Sequence, residues 1–106
     1  METNNKLIAE FIGYKEYVNE GAIQLYIKDK VVKSIGQLDF HSDWNWLMQV
    51  VEKIESLGYR VTIVRHICRI DLTEESKLII SEDIKKIEAV YTACLEFIKW
   101  YNKQNQ

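Results

Sequence analysis

RVTIVRHICRIDLTEESKLIISEDIKKIEAVYTACLEFIKWY, residues 60–101, decides the fold class. Its opening, Arg60 to Ile70, is rich in Val and Ile and reads as the strongest strand of the chain. Leu72 to Ser76 is a polar turn, and Lys77 to Ile80 reads as a short returning strand. The period then changes. Ile84, Ile87, Tyr91, Cys94, Ile98 and Tyr101 recur at helical spacing, a core-facing stripe of about five turns. Ser81 is expected to cap this helix, with Glu82 and Asp83 in a first turn whose dipole favours acids. The polar end, Asn102 to Gln106, is expected to fray. Hairpin-joined strands closed by a long C-terminal helix define an α+β fold, since no parallel crossover is demanded.

Upstream the same signals recur. Ser42 or Asp43 caps a helix that runs to Leu57 before Gly58, with Trp44, Leu47, Met48, Val51 and Ile54 as its apolar face. Ile23, Leu25 and Ile27 alternate with Gln24, Tyr26 and Lys28, the pattern of a half-buried strand. Asp29-Lys30 turns the chain into a second strand at Val31-Val32. Gly36 bends or ends it, and Leu38 to Phe40 can continue the sheet. A short first helix is capped by Thr3, Asn4 or Asn5, carries the stripe Leu7, Ile8, Phe11 and Ile12, and ends at Gly13. Tyr14 to Gly21 is a polar, aromatic connection. The expected order is α-β-β-α-β-β-α, an antiparallel sheet packed by helices.

The chain has 106 residues. Domains commonly run to roughly 100–150 residues, so a single α+β domain over 1–106 is expected. A net charge of −2 argues against broad electrostatic binding to nucleic acid and leaves only a local basic patch for it. Cys68 and Cys94 are too few for a disulfide framework and sit in apolar segments, as reduced buried thiols do. Met1 to Lys6 lacks the pattern of a signal peptide. No segment approaches the ~20 apolar residues of a membrane span. The expected location is the cytoplasm, with no membrane partner; composition leaves the oligomeric state open.

Chemistry-bearing patterns are few. Asp39, His41 and Asp43 alternate and would share one face of an extended segment, but Asp43 stands where a helix cap belongs. His66 and Cys68 would share a strand face, with Val64 and Ile70 on the same face making a core edge. A zinc site would need further ligands that no paired Cys or His motif supplies. Cys94 lies within an apolar stripe, so burial accounts for it better than nucleophilic catalysis. The acidic pairs read as solvated charge, and four glycines form no phosphate loop. No catalytic residue, metal ligand or cofactor site is expected, and the chain reads as a non-enzyme.

Two surface signals remain. Phe97 and Trp100 fall about 90° and 150° from the centre of the last helix's core stripe and, with Ala93, form a side stripe. Trp46 is offset in the same way on the preceding helix. Such aromatics either anchor a partner or lie under a second layer. Arg65 and Arg69 bracket Ile67 on the strong strand, with Arg60 nearby. They guard an edge strand against aggregation or grip a phosphate. The candidate partner-binding residues are therefore Trp46, Phe97, Trp100, Arg65 and Arg69.

The chain resembles small phage and prophage proteins that carry the phage ABA sandwich domain, many of them in Bacteroidetes genomes. The resemblance rests on residues 5–13 (NKLIAEFIG), 41–48 (HSDWNWLM), 50–55 (VVEKIE), 57–59 (LGY), 87–91 (IEAVY) and 96–101 (EFIKWY). Tyr14 to Gln37 matches least. The resemblance implies a sheet sandwiched by helices and brings no catalytic residues. It also implies an accessory role in the host cytoplasm: a non-enzymatic binding protein that inhibits a host defence protein, an RNA-guided nuclease being one target class. The alternative is a small-molecule binder that sequesters a nucleotide signal, with Arg65, Arg69 and aromatic side chains as its contacts.

Overall fold

Glycines and one aspartate set the helix ends. The structure is a computed structural model that describes residues 2–18, 24–28, 31–34, 38–72 and 77–105. Among these, α1 (Glu2–Phe11) is followed by β1 (Lys15–Val18), β2 (Gln24–Lys28) and β3 (Val31–Ser34). Then come α2 (Trp44–Ser56), β4 (Arg60–Val64), β5 (Ile67–Asp71), β6 (Leu78–Glu82) and α3 (Lys86–Gln104). Gly13 ends α1 with φ +108°, a left-handed conformation that glycine adopts freely. The Gly13 N–H donates to Glu10 C=O at 3.2 Å and the Tyr14 N–H to Ala9 C=O at 2.9 Å, the paired bonds of a Schellman cap. Asp43 caps α2 by accepting the Asn45 N–H at 2.8 Å, and Gly58 follows that helix at φ +98°.

The class is α+β with a long C-terminal helix, as the sequence reads. The order carries two more strands than expected. Lys15–Val18, read as a connection, pairs antiparallel with β2, and β2 pairs with β3. The single strong strand Arg60–Ile70 is instead a hairpin. β4 and β5 pair with Val64 opposite Ile67, so Arg65 and His66 form the turn. Arg65 lies at φ +54°. Two sheets result among the described residues, ordered β1-β2-β3 and β4-β5-β6. Leu38 and Phe40 are buried but form no strand. Ile23, Asp29-Lys30 and Gly36 lie outside the described residues.

The first sheet is pinned through one cross-strand row. Glu16, Tyr26 and Lys33 are register partners on β1, β2 and β3. Tyr26 is fully buried while Ile27 is half-buried, so the tyrosine face, not the isoleucine face, meets the core. Its flanking charges hold the helices. Glu16 pairs with Lys6 of α1 at 2.8 Å, a hydrogen bond that raises the Lys6 pKa above its usual value. Lys33 Nζ stands 5.7 Å over the Trp46 ring of α2, within cation–π range.

The second sheet packs on α3. Cys68 and Ile70 of β5 are fully buried against it, and Val61, Ile63 and Ile79 pack beside them. On α3 itself Ala89, Val90, Tyr91, Ala93, Cys94, Leu95, Phe97 and Ile98 are all buried. A helix apolar around most of its circumference is covered on more than one side. α1 and α2 supply the other cover. Asn5, expected as a cap, lies inside α1, and its buried Oδ1 accepts the Tyr91 hydroxyl at 3.1 Å.

Three helix readings are corrected. Ser81 does not cap α3, because Ser81 and Glu82 remain paired with Cys68 and Ile67 and the strand outcompetes the cap. The helix begins after Lys85, whose N–H Asp83 accepts at 3.2 Å. Ile84, placed in the core stripe by periodicity, precedes the helix and is 98% exposed. On α2 the buried face is Leu47, Val50, Val51 and Ile54, leaving Trp44 and Met48 exposed.

Candidate functional site

The register of the second sheet fixes what each face carries. Side chains alternate along a strand, and a two-residue turn brings Val64 and Ile67 to the same face. One face therefore presents Val61, Ile63, Cys68, Ile70, Ile79 and Ser81 to α3. The other presents three rows across β4, β5 and β6: Arg60–Asp71–Leu78, Thr62–Arg69–Ile80 and Val64–Ile67–Glu82. No described helix covers this second face. Val64 is 56% exposed, Ile80 57% and Leu78 43%. Ile84, also exposed, follows the end of β6.

The outer face is mixed in a particular way. Arg69 stands at its centre, on the middle strand, with Ile80 and Thr62 across from it. Arg60 and Asp71 are cross-strand register partners at one end. Single exposed aliphatics are common on any protein surface. A contiguous group with charges around it is the pattern of a contact surface.

The candidates taken from the sequence do not converge. Arg65 occupies the hairpin turn and Arg69 the sheet centre, so the two do not bracket Ile67 on one strand. β5 is central, so Arg69 guards no edge. Phe97 is fully buried, so of the two readings of the side stripe it lies under a second layer. Tyr59 and Phe11 cover it, with ring centroids at 5.0 Å and 6.1 Å. Trp100 is half-buried, 5.8 Å from Phe97 and 5.9 Å from Tyr59. Trp46 is half-buried between Tyr14 and Phe40, at 6.1 Å and 5.4 Å. These aromatics knit helices together, and only part of each tryptophan reaches solvent.

Two hollows flank the start of α3. One of about 260 Å³ is lined by His41, Asp83, Glu88, Tyr91 and Thr92. His41 Nδ1 is buried there without a hydrogen-bond partner, Asp39 Oδ1 standing 3.6 Å away. Asp43 is occupied as the α2 cap, so Asp39, His41 and Asp43 do not gather. The second hollow, about 520 Å³ and shallow, is lined by His66, Glu82, Asp83 and Ile84. His66 Nε2 lies 3.9 Å from Glu82 Oε1. His66 is exposed at the turn while Cys68 is buried, so they share no face. Among the described residues no three His, Cys, Asp or Glu side chains are placed to hold a metal ion.

The thiols are chemically quiet. Burial pushes Cys68 up to about 11 from the ordinary 9.0 and pushes Cys94 higher still. A neutral thiol is a poor nucleophile, so neither is activated at neutral pH. Both are free cysteines.

The sequence did carry a signal for the outer face. Leu78-Ile79-Ile80 is apolar at consecutive positions, so both faces of that strand are apolar whichever way it points. Comparison with known proteins finds no family model, no curated protein and no solved structure that matches this chain.

Proposed function

We propose that this chain is a non-enzymatic binding protein whose contact surface is the outer face of β4-β5-β6. The observation that carries the reading is the uncovered group Val64, Leu78 and Ile80, with Ile84 beside it and Arg69 at its centre. Apolar side chains interspersed with charge supply contact area and orientation for a protein partner. Arginine at the middle of such a surface is a frequent energetic anchor. The resemblance to phage accessory proteins supports a host protein as partner, and inhibition of a defence nuclease as one form the binding would take.

The test is capture from a host lysate with purified protein and with a Val64→Asp, Arg69→Glu variant. Both side chains are exposed, so circular dichroism should be unchanged. A partner held in stoichiometric amount by the wild type and lost with the variant supports the reading. A partner held equally by both removes the outer face as the surface. The nucleotide alternative draws on Arg65 and Arg69, which stand on different elements. It expects a thermal shift, since a ligand at 100 times its Kd adds about 2.7 kcal/mol. The contact-surface reading expects none.

A further inference from the structure

The edge strand β6 is self-complementary. Its pairing with β5 is bounded by two hydrogen bonds: the Leu72 N–H donates to Lys77 C=O at 3.0 Å, and the Asp83 N–H to His66 C=O at 3.1 Å. Antiparallel ladders alternate strictly between hydrogen-bonded and non-hydrogen-bonded pairs. Residues 77, 79, 81 and 83 therefore direct their backbone groups at β5. Leu78, Ile80 and Glu82 direct theirs away from it, and no described strand lies beyond. An uncovered row of this kind is a template for another strand. Native edges are usually blunted by lysine, proline or a bulge. Leu78 and Ile80 blunt nothing.

We propose that β6 pairs antiparallel with β6 of a second copy of this chain about a two-fold axis at Ile80. This register joins the outward groups completely. Ile80 meets Ile80 of the second copy, and Leu78 meets its Glu82, each as a hydrogen-bonded pair. Lys77 then stands opposite Asp83 of the second copy, a cation against an anion in a non-hydrogen-bonded pair, where side chains are closest. A register centred elsewhere on the strand matches fewer outward residues and loses the Lys77–Asp83 pairing. α3 packs on β5 and β6 alike. The result of the pairing is a continuous six-stranded sheet with a doubled outer face.

β4 is the poorer edge. Its residues opposite β5 in the hairpin, Arg60, Thr62 and Val64, are the ones bonded inward. That leaves only Val61 and Ile63 directed outward, both half-buried beside the core.

The experiment is sedimentation of the purified chain over a wide concentration range, together with register-specific cross-linking. The wild type is expected to reach twice the 12.6 kDa chain mass. Ile80→Lys sets two ammonium groups face to face and is expected to give a monomer with an unchanged circular dichroism spectrum, its melting temperature lower only by what dimerisation adds to the wild type. Ile80→Cys is expected to yield a disulfide-linked dimer on mild oxidation, because each introduced thiol faces its own copy. Leu78→Cys faces Glu82 instead and is expected to cross-link far less. The native cysteines are buried and do not interfere. A chain monomeric at every concentration overturns the proposal, as does a dimer indifferent to Ile80→Lys or equal cross-linking at positions 78 and 80. No partner is added and Val64 and Arg69 are untouched, so the outcome is separate from that of the lysate capture.

Discussion

The two faces of the β4-β5-β6 sheet use similar residues to opposite ends. The face toward α3 carries Val61, Ile63, Cys68, Ile70 and Ile79 and is closed by a helix. The face away from it carries Val64, Ile67, Leu78 and Ile80 and meets solvent, with Arg69 among them. Composition alone does not separate these sets. Register separates them, and the register is set by the two-residue turn at Arg65-His66. Without that turn Val64 and Ile70 share a face. With it they are on opposite faces, since a slip of one residue exchanges every side chain. Hydrophobicity along a strand therefore says that something is covered, and topology says by what.

The largest expected contrast between covered and open regions is in stability. Phe97 is fully buried within the ring cluster on α3. Phe97→Ala should cost about 3–5 kcal/mol, the usual effect of truncating a core aromatic. Val64→Ala, on the open face, should stay within about 0.5 kcal/mol, as surface changes do. Urea denaturation of both variants measures the difference. Similar losses would mean that something covers the outer face in the isolated chain.

The covered side should also show itself at high pH. Cys68 titrates near 11 in the folded protein against an ordinary 9.0, because burial penalises the thiolate. Above pH 9 the unfolded chain loses this proton while the folded chain keeps it, so stability is full below pH 9 and falls as pH rises toward 11. Each unit of difference is worth about 1.4 kcal/mol, so the loss is on the order of 2–3 kcal/mol. Burial moves Cys94 and Tyr91 the same way and adds to it. The measurement is the urea midpoint between pH 8 and about pH 11, with Cys68→Val as the comparison. An identical slope in that variant would remove Cys68 as the cause.

What was legible in the sequence follows the range of the physics. Gly13, Gly58 and Asp43 end or cap their helices through bonds to residues within five positions, so local pattern located them. The hairpin turn escaped because neither Arg65 nor His66 is the Gly or Asn that usually marks one. Tyr26 escaped because tyrosine serves equally well inside and outside, and its burial is decided by the core it packs into. The cover over the aromatic candidates was hidden for the same reason. Helical angle sets Phe97 and Trp100 apart from the main stripe, and Tyr59 and Phe11, from other elements, decide whether that side is open. The outer face was half legible: its apolar residues were visible in Leu78 to Ile80, its orientation was not.

A smaller effect tests how α1 is fixed to the covered side. The Tyr91 hydroxyl donates to Asn5 Oδ1 in the interior. Tyr91→Phe keeps the ring and leaves a buried amide oxygen without this donor, at a cost of about 1–3 kcal/mol. Asn5→Leu together with Tyr91→Phe removes both polar groups and should recover part of that loss. Equal destabilisation by the single and the double variant would show that packing of the α1–α3 contact, not the hydrogen bond, carries the effect.

The smallest expected effect has the opposite sign and bears on the turn that makes the two faces different. Arg65 is the non-glycine residue found at positive φ among the described residues, at +54°. A side chain there meets its own backbone and costs about 1–2 kcal/mol. Glycine adopts this conformation without the clash but loses more freedom on folding, a penalty of roughly 0.5–1 kcal/mol. Arg65→Gly should therefore stabilise the protein by up to about 1 kcal/mol, read as a higher urea midpoint with an unchanged slope. Arg65→Val adds a branched side chain at the same φ and should destabilise by about the same amount or more. The pair of variants is diagnostic because only a positive φ makes glycine and valine move stability in opposite directions. If both lowered it equally, Arg65 would not sit in a left-handed turn. The hairpin register, and with it the assignment of Val64, Ile67 and Arg69 to one open face, would have to be redrawn.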